Sequence, residues 1–114
     1  MRVKSRGVPE DVGVRIALHA GSLRALGDLQ RSDLDAFKQA CARLCESNHQ
    51  SVFIDLARCA YISSLFIGEL AEAVMQMTAS GKDVHVEVSP ELGKTLHMAR
   101  LYHLFDYEIS SELL

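Results

Sequence analysis

Apolar residues alternate with polar ones in some stretches of this chain and recur every three or four residues in others, and the switches between these periods divide it into strands and helices. Val14, Ile16 and Leu18 alternate with Arg15, Ala17 and His19, the period of a half-buried strand, and Ala20-Gly21-Ser22 turns into a second strand over residues 23–26. The two form an antiparallel hairpin. Ser32, followed three residues later by Asp35, reads as a variant capping box, and Leu34, Phe37, Cys41, Leu44 and Cys45 then share one face of a helix that runs to about Ser47. Residues 51–56 form a strand apolar enough to be central and covered on both faces. A second helix starts near Ser64, with Phe66, Ile67, Leu70, Val74 and Met77 at helical spacing, and stops at Ser80-Gly81, where glycine accepts a left-handed backbone.

Val84, Val86 and Val88 alternate with His85 and Glu87 in another strand. Ser89 then caps and Pro90 opens a third helix, which turns Leu92, Leu96 and Ala99 to the core. Phe105, Tyr107 and Ile109 alternate with Asp106 and Glu108, as in a last strand at a sheet edge. The first dozen residues and the Ser110-Ser111-Glu112 tail are expected to be loose. A hairpin followed by repeated helix and strand units predicts an α/β fold: a mixed β-sheet of about five strands with three or four helices packed on it. No repeat, low-complexity stretch or linker divides the chain, so its 114 residues are expected to form one domain.

In such a sheet ligands gather beyond the carboxyl ends of the strands, where Asp55 and the connection to Ser64 lie, together with Gly27-Asp28 before the first helix. These two loops are expected to be neighbours. Ser63 and Ser64 stand where a helix cap belongs, beside unpaired N–H groups and the positive end of the helix dipole. Capping alone is the simpler reading, and a phosphoryl switch on the same serines is the sharper one. Asp55 at a strand end caps a turn more readily than it pairs with Asp28 as a catalytic carboxylate. Leu65 and Phe66 either pack beneath the helix or, if exposed, form an apolar binding spot.

Composition narrows the functional classes. With 48% hydrophobic and 24% charged residues the chain is an ordinary globular protein with a real core, and a formal charge of −3 gives no basic stripe for nucleic acid. No apolar run approaches a membrane span, and the amino-terminus lacks the apolar segment of a signal peptide, so a cytoplasmic protein without membrane insertion is expected. The three cysteines, Cys41, Cys45 and Cys59, read as reduced and packed rather than as metal ligands. The histidines are scattered and read as surface or satisfied positions. Ser63 and Ser64 have no Gly-x-Ser-x-Gly elbow, and no Cys-x-x-Cys, phosphate-cradling glycine loop or cluster of metal ligands accompanies them. A small phosphotransfer or hydrolytic enzyme therefore lacks its catalytic set.

Taken in order, the segments resemble the STAS domain of anti-sigma factor antagonists over roughly residues 12–110. Leu26-Gly27-Asp28-Leu29 is similar to that family's Gly-Glu-Leu turn, Ser89-Pro90 opens the last helix, and the run from Met98 to Phe105 resembles its closing helix and strand. The family's Asp-Ser-Ser-Gly phosphorylation motif falls on Ser63-Ser64-Leu65-Phe66, which puts leucine at the usual phosphoacceptor and phenylalanine at the glycine. The resemblance implies a non-enzymatic domain that binds a protein partner, in the best-known branch an anti-sigma factor with serine-kinase activity, and releases a sigma factor when unphosphorylated. With Leu65 at the acceptor position, a constitutively competent version is favoured over one switched through Ser64 or Ser63. The expected partner surface comprises Gly27, Asp28, Gln30, Asp55, Tyr61, Leu65, Phe66, Glu69 and Glu72. The alternative is a STAS subunit or regulator docked on a membrane transporter or larger signalling assembly. Neither reading calls for a cofactor, and a homodimer remains open.

Overall fold

The computed structural model describes residues 10–13, 15–101 and 103–110. Among these residues six strands form one mixed sheet in chain order: β1 (Glu10–Gly13), β2 (Ile16–His19), β3 (Ser22–Ala25), β4 (Ser51–Leu56), β5 (Asp83–Val88) and β6 (Glu108–Ile109). The β1–β2 and β2–β3 pairs are antiparallel, and β3–β4, β4–β5 and β5–β6 are parallel. Three α-helices, α1 (Leu34–Glu46), α2 (Ser64–Ala79) and α3 (Pro90–Met98), connect the parallel part, and a short 3-10 turn at Arg31–Asp33 leads into α1.

The predicted α/β class therefore holds, with one strand more than the pattern announced. Residues 10–13, which begin within the stretch expected to be loose, pair with β2 from Glu10↔Leu18 to Gly13↔Ile16 across an irregularity. Acidic Glu10 and Asp11 have low strand propensity, but the free ladder groups of β2 offer them partners, and pairing overrides propensity. Ser110, the first residue of the tail expected to be loose, is instead 1% exposed, and its N–H donates to the Val88 carbonyl at 2.8 Å, because it continues the pairing of β6 with β5. The rest of that expectation falls on residues 1–9 and 111–114, which with Val14 and Tyr102 lie outside the described residues.

Burial follows the two-residue period. Leu23, Ala25, Val52, Ile54, Leu56, Val86 and Val88 are buried, whereas Arg24 and His85 are exposed and Phe53, Asp55 and Glu87 are half-buried. β4 is central, as expected, but its burial alternates, so helices cover one face rather than both. Against that face pack Phe37, Ala40, Cys41 and Leu44 of α1, Phe66, Ile67, Leu70 and Met77 of α2, and Leu92 and Leu96 of α3, in one continuous core.

The helix ends obey local rules, with two corrections. The helical turn begins before Ser32, so the box is closed by Asp33 rather than Asp35: the Asp33 carboxylate accepts the Gln30 N–H at 2.8 Å and pairs with Arg15 at 3.3 Å. Ser89 caps α3 as predicted, its hydroxyl accepting the Leu92 N–H at 3.0 Å, but α3 ends at Met98 and leaves Ala99 exposed. The run from Met98 to Phe105 is consequently mostly turn among its described residues, and the strand comes later, at β6. At the end of α2, Lys82 N–H bonds to Met77 C=O and Gly81 N–H to Thr78 C=O, with Gly81 at φ +90°. This pair of bonds closes the helix and requires the left-handed residue. α3 closes the same way, but with Arg100 at φ +59° in the glycine position.

The two ends make opposite predictions in urea denaturation. Gly81→Ala is expected to cost about 1 kcal/mol, because a Cβ is strained at that φ. Arg100→Gly is expected to stabilise by a few tenths to about 1 kcal/mol, strain relief being partly offset by the greater freedom of the unfolded glycine.

Candidate functional site

Because β3 and β4 run parallel with Arg24 opposite Asp55, the loops that follow them leave the sheet at the same edge. They meet there. The exposed Asp28 side chain reaches across, and its Oδ1 accepts the N–H groups of Ala60 at 2.7 Å and Tyr61 at 3.3 Å. The other side of the 57–63 loop is held from α3: Ser89, 2% exposed, donates its hydroxyl to the Cys59 carbonyl at 2.8 Å while capping its own helix. Cys59 and Ile62 are buried beneath. A short loop is thus fastened by a carboxylate above, a hydroxyl below and two apolar side chains in the core.

Asp55 behaves as a turn residue. Its Oδ1 accepts the Ala57 N–H at 2.9 Å, and its Oδ2 accepts from Arg24 Nε at 3.2 Å. Asp28 and Asp55 are therefore engaged separately and do not form a carboxylate pair. The Arg24–Asp55 contact depends on the β3–β4 register, which the sequence alone does not carry.

What the braced loop presents is apolar. Tyr61 is 59% exposed and Leu65 51%, with Leu26 of the neighbouring loop at 42%. Ser63 occupies the cap position of α2 in extended backbone, yet its side chain makes no capping hydrogen bond, contrary to the role the sequence suggested. Its carbonyl instead accepts the N–H groups of Phe66 and Ile67. Ser64 is exposed.

Phe66 does not belong to a surface. It is 1% exposed and meets Phe37 edge-on, with ring centres 5.3 Å apart and planes at 71°. The next helical position inward was filled by packing, which removes Phe66 from the predicted partner residues. Gly27 and Asp28, Gln30 and Tyr61, Leu65 and Glu72 remain accessible to different degrees, and Glu69 is half-buried with its carboxylate 3.8 Å from Lys38 Nζ.

Burial pushes the Cys41 thiol from 9.0 up to about 12, helped by Cys45 and Glu69, and burial likewise raises Cys45 and Cys59. Among the described residues, no group of three or more His, Cys, Asp or Glu side chains is placed to hold a metal ion. No helix among them is long and apolar enough to cross a membrane.

With this geometry in view, comparison with known families is decisive for kinship. A family model described as "Mlab, STAS domain" matches residues 12–108. The chain belongs to the STAS domain family. Its sheet and helices have the architecture of that family, and membership supports a general regulatory or protein-interaction domain. No curated protein matches the chain. Within this STAS domain, the feature that sequence reasoning missed is Ser89: the Ser-Pro pair announced a helix cap, but nothing local announced that the same hydroxyl would fasten the loop after β4.

Ser89→Ala is expected to cost about 1–3 kcal/mol, since it orphans a buried carbonyl and a helix-end N–H. Asp28→Ala should cost less, about 1 kcal/mol, because water reaches its partners, and its signature is faster hydrogen exchange at Ala60 and Tyr61. Equal stability of Ser89→Ala and the parent would refute the bracing role. For Cys41, folded-state stabilisation of the neutral thiol is complete below pH 9.0 and is lost as pH rises toward about 12, because the unfolded chain releases the proton first. Stability measured from pH 8 upward should accordingly fall less steeply in Cys41→Ala than in the parent.

Proposed function

We propose that this STAS domain is a non-enzymatic, cytoplasmic interaction module that docks a protein partner on the carboxyl edge of its sheet, without a serine phosphorylation switch. The observation that supports this reading is Leu65, half exposed at the first turn of α2, at the position where the resemblance to anti-sigma factor antagonists has the phosphoacceptor. An apolar side chain left in water on a braced element suits an anchor that a partner desolvates. Tyr61 on one side and Glu69 and Glu72 on the other extend the surface along α2, and the turn from Gly27 to Gln30 borders it. Such a surface is competent whenever the protein is folded, because Leu65 has no hydroxyl to modify.

The resemblance makes the partner an anti-sigma factor or a serine-kinase-like protein. A second reading is a STAS subunit or regulator docked on a membrane transporter or larger signalling assembly; the matched family description names no anti-sigma factor antagonist, so it gives the first reading no advantage over this one. Both readings use the same surface. Recovery of the native complex, followed by identification of what accompanies it, separates them.

Leu65→Asp should weaken partner binding by about 1–3 kcal/mol, roughly 5- to 150-fold, because docking would bury a charge in place of an apolar anchor. The variant should keep its circular dichroism and melting cooperativity; unchanged affinity in a folded variant rejects the surface. Intact-mass spectrometry of protein from its own host, and after incubation with the cognate kinase and ATP, should show no added phosphate, whereas Leu65→Ser should acquire one at position 65. A stoichiometric phosphate on Ser63 or Ser64 of the parent would overturn the constitutive reading.

A further inference from the structure

Along the solvent side of α2, Leu65, Gly68, Glu72 and Met75 follow one another at steps of three, four and three residues and so share one face. Leu65 and Met75 are 51% and 67% exposed, and Gly68 and Glu72 are exposed between them. This is the spacing of the seam by which one helix receives another. A groove runs beside it, between α1 and α2. Two depressions of about 160 and 340 Å³ share Lys38, Glu69 and Glu72, and together they extend from Leu65 to Gln76, about 16 Å or three helical turns.

Gly68 is the informative residue. A glycine inside a helix costs about 1 kcal/mol relative to alanine, and here a Cβ would meet nothing within 4 Å, so no contact among the described residues requires it. Its effect is to lower the wall of the seam at the middle, where a second backbone can come close. Charge narrows the occupant further. Glu69 faces Lys38 at 3.8 Å, while Glu72 has no ion-pair partner among the described residues, leaving the rim one negative charge in excess.

We propose that this seam and groove receive an amphipathic helix of the protein partner, with apolar side chains against Leu65 and Met75, its backbone close over Gly68, and an arginine or lysine against Glu72. The proposal rests on the reading that a protein partner docks on this face of α2, and it assigns that partner's secondary structure and charge. Helix against helix fills such a groove by ridge packing, and a single basic group neutralises the uncompensated carboxylate.

The test places the photoreactive residue p-benzoylphenylalanine at Met75, at Gln76 and, as a control at the sheet edge, at Tyr61, each in the full chain in its own host. Crosslinked peptides from positions 75 and 76 that map to an amphipathic helix bearing Lys or Arg support the proposal. Crosslinks from Tyr61 alone overturn it while the proposed docking edge stands; crosslinks into a second copy of this chain, or into a strand or loop, also overturn it. No crosslink from any of the three positions overturns both. With the partner in hand, Gly68→Leu should fold at least as stably as the parent, since its side chain enters open space on a better helix former, yet bind at least 10-fold more weakly. Glu72→Arg should lose a similar factor and regain it when the facing basic residue of the partner is changed to glutamate. Full binding by folded Gly68→Leu contradicts the close approach, and absence of that rescue contradicts the charge assignment.

Discussion

Val52, Ile54 and Leu56 of β4 are at most 1% exposed, and their alternation with Phe53 and Asp55 fixes the registers on which the candidate docking edge is built. Slipping β4 by one residue would turn Asp55 inward and strip it of Arg24, and burying an unpaired carboxylate costs several kcal/mol, roughly the loss of a large core side chain in addition. The sheet therefore admits one pairing. In parallel strands that pairing also decides where the connections emerge, so the loops after β3 and β4 come out side by side and Asp28 can span the gap to Ala60 and Tyr61.

This fastening explains how apolar groups can stand in water without collapsing onto the protein. Tyr61 and Leu65 flank buried Ile62 and Phe66, so the backbone beneath them is held by core packing, while Asp28 and Ser89 secure it through hydrogen bonds from opposite sides. Their exposure is thus imposed by the anchoring of their neighbours. A partner that covers them does not have to order the loop first, and the affinity otherwise spent on ordering is retained.

Much of this was readable from residue periodicity. The valines of β5, the two-sided signal of Gly81 after α2 and the Ser89-Pro90 start of α3 each combine a local conformational preference with a burial pattern, and each lies where that pattern placed it. The misses share a different character. β1 pairs with β2 where residue periodicity announced no strand, Asp33 displaces Asp35 because a 3-10 turn starts the helix early, and Arg24 meets Asp55 only through the register of strands far apart in sequence. Arg100 in a left-handed conformation is the same lesson at a helix end: glycine signals that geometry, but the chain adopts it without glycine when the closing bonds to Leu96 and His97 are available. Within the candidate site the two loops and their proximity were legible, whereas the division of labour between Leu65 and Phe66 was not, since adjacent apolar residues at a helix start carry no sign of which one the core will take.

That division ties the fold to the proposed mode of recognition. Phe66 stands where the resemblance puts the motif's glycine, and its edge-on contact with Phe37 and nearly complete burial set the rotation of the first turn of α2. Truncating such a phenyl typically costs about 3–5 kcal/mol, so the rotation is not easily altered by a surface contact of about 1 kcal/mol. One residue back, about 100° around the helix, Leu65 lies on the solvent side at 51% exposed, whereas Ile67, the same step in the other direction, turns into the core. Ser64 is a further step around and Ser63 is outside the helix in extended backbone, so neither serine can be brought to the place of Leu65 without moving Phe66. On the proposed reading, the residue that stabilises the helix start is thus also the one that commits this position to an apolar contact, and a partner docking there would recognise shape and hydrophobicity where a phosphorylated serine would offer charge.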